Sequence, residues 1–172
     1  MLWQIEIEDK PGVFDAVGAG LKKDIEDLKI NSVEGIHFVW VYSFEGDILE
    51  SQIQTICEEL LVDKIVQAYR YFKEPANLPL VTKDLNIIEI AYNLGVMDPV
   101  EESCLKAIKD LGIESVQSVR TAKKYIIEGK LSRQELNTII DKLLCNKIIQ
   151  HVVKQTTDHR PNTTTRLSIQ FN

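Results

Sequence analysis

Apolar and polar side chains alternate from the start of the chain: Trp3, Ile5 and Ile7 interleave with Gln4, Glu6 and Glu8. That two-residue period predicts a strand with one buried face. From Asp15 the period changes, and Val17, Leu21, Ile25 and Leu28 fall on one stripe at helical spacing, as in an amphipathic helix. A long alternating stretch follows, with Ile36, Phe38, Trp40, Tyr42 and Phe44, and it stops at Glu45-Gly46. It is long enough to bend into two strands. Ile53, Ile56 and Leu60 then mark a second helix, and Ile65 to Phe72 read as a closing strand.

The same pattern returns at an offset of 83 without gaps. Ile5-Glu6-Ile7 recurs as Ile88-Glu89-Ile90, and Gly12-Val13-Phe14-Asp15 as Gly95-Val96-Met97-Asp98. Tyr42, Glu45 and Gly46 recur as Tyr125, Glu128 and Gly129, and Leu60-Leu61 as Leu143-Leu144. Val100, Cys104, Ile108 and Leu111 repeat the first helical stripe. Such self-similarity makes the chain one module written twice. The expected division is residues 1–72 for the first module, 73–84 for a proline-containing linker, 85–153 for the second module and 154–172 for a polar tail. In the second copy the closing strand is expected over Ile148 to Val153.

The order strand–helix–strand–helix–strand predicts an α+β fold of two tandem ferredoxin-like, split βαβ modules. A module of this size buries a modest core, so the two copies are expected to pair their sheets as an intrachain pseudo-dimer. Asp15 and Asp98 suit helix N-caps, Pro99 the first helical position, and Ser132 with Glu135 a capping box. The copies differ in the long strand. Phe38-Val39-Trp40-Val41-Tyr42 is apolar on both faces and asks for cover on both, whereas the second copy reads Arg120 to Lys124 at the same place.

Composition narrows the function classes. A hydrophobic fraction of 44% and a charged fraction of 27% are those of a globular domain. A net charge of -6 disfavours nucleic-acid binding, which needs a basic face. No apolar run reaches the roughly 18 residues that span a bilayer. The first residues lack the regions of a signal peptide. Cys57, Cys104 and Cys145 form no CxxC pair and lie in apolar helical patterns, which predicts buried free thiols and, by default, a reducing cytoplasm.

Chemistry is sparse. His37, His151 and His159 show no metal-ligand spacing, and no nucleophile elbow or phosphate loop occurs. The feature common to both copies is a Gly-Val-x-Asp turn. Its glycines, Gly12 and Gly95, allow a tight reversal, and Asp15 and Asp98 cap helices. Its N–H groups also suit a small anion or a partner carbonyl.

Two resemblances attach to these residues. Asp9-Lys10-Pro11-Gly12-Val13 with Val17 and Leu21 is similar to the opening of an ACT domain, which implies, as the alternative function, a tandem small-molecule-sensing regulatory module. Gly95-Val96-Met97-Asp98-Pro99, Val116 to Arg120, Tyr125 to Gly129 and Leu143 to Val152 resemble the PurS family, with copy one repeating the ending from Leu60 to Tyr69. PurS is the small subunit of phosphoribosylformylglycinamidine synthase in purine biosynthesis. The resemblance implies no catalytic residues in this chain and no cofactor bound by it. It implies a bridge between a glutaminase and an ATP- and magnesium-using synthetase, and help in shielding ammonia between them.

Further self-association stays open on this reading, while nucleic acid and membrane are not expected partners. Ala122 stands where the family typically has glycine. The contact candidates are Gly12, Asp15, Gly95, Asp98, Pro99, Arg120 and Lys123, with copy two facing the partner because His37 replaces Arg120 in copy one. Tandem PurS-like modules also resemble the N-terminal region of longer synthetase chains, and on that reading the stretch from Lys154 begins a linker.

Overall fold

The computed structural model describes residues 1–73 and 84–157. Each module contributes three strands and two helices: β1 (Leu2–Asp9), α1 (Ala16–Asp27), β2 (Val33–Gly46), α2 (Glu50–Ile56) and β3 (Gln67–Lys73), then β4 (Leu85–Tyr92), α3 (Pro99–Asp110), β5 (Val116–Gly129), α4 (Arg133–Ile139) and β6 (Gln150–Thr157). The six strands form a single antiparallel sheet in the order β3-β1-β2-β5-β4-β6. The α+β expectation and the pairing of two modules are both met.

The long strands do not bend into two. β2 and β5 each run unbroken for 14 residues and pair with each other along nearly their whole length, with register shifts only near the ends. A partner edge of equal length holds each strand straight. Trp40 pairs with Lys123 at the middle of this ladder. These two residues are each other's counterparts in the repeat, so the twofold pseudo-axis of the chain passes through that pair.

The helices cover one sheet face and build two cores, each drawn from both modules. Leu21 and Ile25 of α1 pack with Leu136, Ile139 and Leu144 over Ile36, Ile88 and Ile127. Ile53, Ile56 and Cys57 pack with Cys104 and Ile108 over Trp3, Ile5, Phe44 and Val119. Trp40, on the axis, packs against both clusters. The shared burial expected of two small modules is thus literal: neither copy owns a core.

Local differences from the sequence reading have simple causes. Val17 and Val100 are exposed, because each lies in the first turn of its helix, short of the sheet, and the buried stripes begin at Gly18 and Cys104. Ile65 and Ile148, each 85% exposed, stand in turns before the closing strands, which start at Gln67 and Gln150. β6 runs past Val153 to Thr157 because β4 continues to offer it partners as far as Asn86. The expected linker, between its ends at Lys73 and Asp84, and the tail beyond Thr157 lie outside the described residues.

Both α2 and α4 end in a π-helical turn, Cys57–Leu61 and Ile140–Leu144, closed by Val62 N–H donating to Cys57 O and Cys145 N–H to Ile140 O. The turn occupies equivalent positions in the two copies. The expected caps form: Asp15 accepts from Gly18 N–H, Asp98 from Val100 N–H, and Ser132 with Glu135 completes the capping box.

Candidate functional site

The recurrent turns are tight reversals, with Gly12 at φ 90 and Gly95 at φ 85, a region glycine enters without steric penalty. The aspartates that follow use both carboxylate oxygens within the chain. Asp15 Oδ1 accepts from Gly18 N–H at 2.7 Å and Oδ2 from Phe38 N–H at 2.8 Å. Asp98, buried, accepts from Val100 N–H at 2.9 Å and from the Thr121 hydroxyl. Phe38 and Thr121 are counterparts in the repeat, so the two turns tie to the same point of the two long strands by different donors.

Of the seven predicted contact residues, Asp98, Pro99 and Lys123 come together around a cavity of about 200 Å³ whose wall also includes Trp40, Tyr92 and Thr121. Lys123 Nζ lies 5.7 Å from the centroid of the Trp40 ring, within cation–π range. Asp15 and Gly12 belong to the other module, where Phe38 fills the position of Thr121 and packs 5.4 Å from the Tyr125 ring. Gly95 is not part of the cavity wall. Arg120 is exposed, in register with Ser43 of the first module. His37, its counterpart, is 3.5 Å from Glu128 across the module boundary.

Sequence reasoning missed a cluster of buried charges. On the sheet face away from the helices, Glu6 accepts from Lys124 Nζ and from Arg70 Nε at 2.7 Å, and Lys124 lies 3.5 Å from Glu89. Glu6 is 2% exposed and Lys124 5%. Burial alone pushes the Glu6 carboxyl up, but Lys124 and Arg70 together pull it further down, below its ordinary value. Glu6 and Glu89 are repeat counterparts, whereas Lys124 corresponds to Val41. The recurrence of glutamate at the same position of β1 and β4 is the only trace of this cluster in the sequence.

Other groups offer little reactivity. Burial pushes the Cys57 thiol up to about 12, with Glu58 adding to it, and the Cys104 thiol up to about 11; a nucleophilic cysteine needs the opposite shift. A groove of about 760 Å³ follows β3, but its cations are engaged: Lys10 donates to Lys64 O at 2.5 Å, Lys64 lies 3.3 Å from Glu58, and Arg70 holds Glu6. Among the described residues no group of three or more metal-ligating side chains occurs, and no helix is long and apolar enough to cross a membrane.

A comparison with protein families matches this chain twice, over residues 2–74 and 86–157, to PurS, phosphoribosylformylglycinamidine (FGAM) synthase. The chain belongs to the PurS family. Each strand–helix–strand–helix–strand unit is therefore one PurS module, and the chain carries two in tandem. A comparison with curated proteins returned no match. PurS membership gives the chain a role in FGAM synthase and purine biosynthesis, points to a non-catalytic subunit and implies contact with the other subunits of that assembly.

Proposed function

We propose that this tandem PurS chain is the assembly component of FGAM synthase that bridges the glutaminase to the ATP-dependent synthetase and helps carry ammonia between them. The observation that supports this most is the pairing of two complete PurS modules into one continuous sheet. That sheet leaves β3 and β6 as outer edges for docking, while the recurrent polar turns are occupied by internal hydrogen bonds. ATP and magnesium belong, on this proposal, to the synthetase partner, and no cofactor to this chain.

The exposed Arg120 favours the second module as the partner-facing one. A guanidinium in the open can form bidentate contacts with a partner carboxylate, whereas its counterpart His37 is already turned toward Glu128. The test combines the purified chain with glutaminase and synthetase and follows amidine formation from glutamine and, separately, from ammonium. Adding the chain should raise the glutamine-dependent rate and leave the ammonium-dependent rate nearly unchanged. Arg120→Ala should weaken co-purification more than His37→Ala. Failure of the chain to join the other two proteins, with no effect on the glutamine-dependent rate, rejects the bridging role, and equal losses from the two variants reject the orientation.

A further inference from the structure

The two copies differ at every position of the central segment where they meet. Positions 34–41 differ from their counterparts 117–124 throughout, while Tyr42/Tyr125, Glu45/Glu128 and Gly46/Gly129 immediately beyond are identical. The pseudo-axis lies within this block, and a residue on the axis faces its own counterpart. If a module paired with a copy of itself, each axial residue would face an identical residue.

We propose that Trp40, Lys123 and Lys124 commit the chain to pairing unlike modules, so that the β2 edge accepts a β5 edge and like-with-like pairing is disfavoured. Two first modules paired in this register would set Trp40 against Trp40. They would also bury two copies of Glu6 with Val41 in place of the lysine that now joins the modules. Two second modules would set Lys123 against Lys123 across the strand, and like charges directly opposite are destabilising. The unlike pair replaces the lysine-deprived Glu6 carboxylates of the first alternative and the facing lysines of the second with one cation–π contact between Lys123 and Trp40 and with Lys124 placed between Glu6 and Glu89.

The flanking contacts carry no such preference. Gly46 lies against Ser115 and Gly129 against Ser32, the same Gly–Ser approach at both ends of the β2–β5 ladder. Those contacts would survive in either like pair. Discrimination therefore resides at the centre, through attractive groups for the unlike pair and repulsive ones for the alternatives.

The experiment uses the whole chain, with a protease site inserted between Ala76 and Asn77 and cut after folding. The nicked protein is unfolded in denaturant, refolded by dilution and analysed by native mass spectrometry, which separates the three pairings by mass. Unlike pairs should exceed the two like pairs together by about tenfold or more. Random re-pairing, with unlike pairs equal to the two like pairs combined, overturns the proposal. Lys123→Trp combined with Lys124→Val gives the second module the first module's residues at the axis and should bring the mixture toward random. If that variant fails to refold, the reciprocal pair Trp40→Lys and Val41→Lys serves the same purpose. Refolded variants that keep the wild-type ratio also overturn it, since other residues would then carry the choice.

Discussion

Burying an ammonium on a sheet face is unfavourable unless a carboxylate meets it, and Lys124 meets two. Removing one partner of a buried pair leaves the others desolvated, which typically costs about 3–5 kcal/mol. Lys124→Met keeps the volume and removes the charge, and we expect a loss in that range by urea denaturation. Glu6 adds a dependence on acid. Its carboxyl is held below its ordinary 4.5, so its contribution is fully present above that value and declines as pH falls below it. Stability of the wild type should therefore drop more steeply below pH 4.5 than that of Glu6→Gln. This cluster was not legible in the sequence. Glu6 occupies the polar phase of an alternating strand and reads as a solvated side chain. Its partner lies 118 residues away, brought near only by the register of a ladder between modules.

At the scale of elements, legibility followed the range of the interactions involved. Helix caps depend on neighbours two or three residues away, and Asp15, Asp98 and Ser132 all cap as their positions predict. Strand ends depend on where a partner strand stops, so β6 runs on to Thr157, past the Val153 at which its apolar pattern ends. The repeat supplies internal controls on both. Leu49 occupies the N-cap position of α2 that Ser132 occupies for α4, and it is exposed, with no side-chain acceptor for the helix. Leu49→Ser should stabilise the chain by about 0.5–1 kcal/mol, read as a higher midpoint in denaturant at unchanged slope. The end of β5 shows the opposite constraint. A Cβ built on Gly129 would come 2.1 Å from Ser32 O of the other module, and neither backbone can withdraw without breaking the β2–β5 ladder. Gly129→Ala should cost about 1–3 kcal/mol as an overpacked contact, measured the same way.

Over the whole molecule, the two modules are divisions of sequence and not of stability. The core under α1 needs Leu136 and Ile139 from the second module, and the core under α2 needs Cys104 and Ile108. An opening confined to one module would expose half of each core and strip the long strand from its partner. Local unfolding has a low free energy only where few buried contacts are broken, and no boundary of that kind coincides with the repeat. The chain should therefore unfold in one transition, in which fluorescence from Trp3 and Trp40 and far-ultraviolet circular dichroism give the same midpoint. Trp3 lies in one core and Trp40 against both, so separate melting of the cores would split the optical signals. Residues 1–73 expressed alone should yield no folded monomer, since they lack the second-module half of both cores. Two resolved transitions, or a cooperatively folded 1–73 monomer, would show that the modules are autonomous and that their shared cores are incidental to stability.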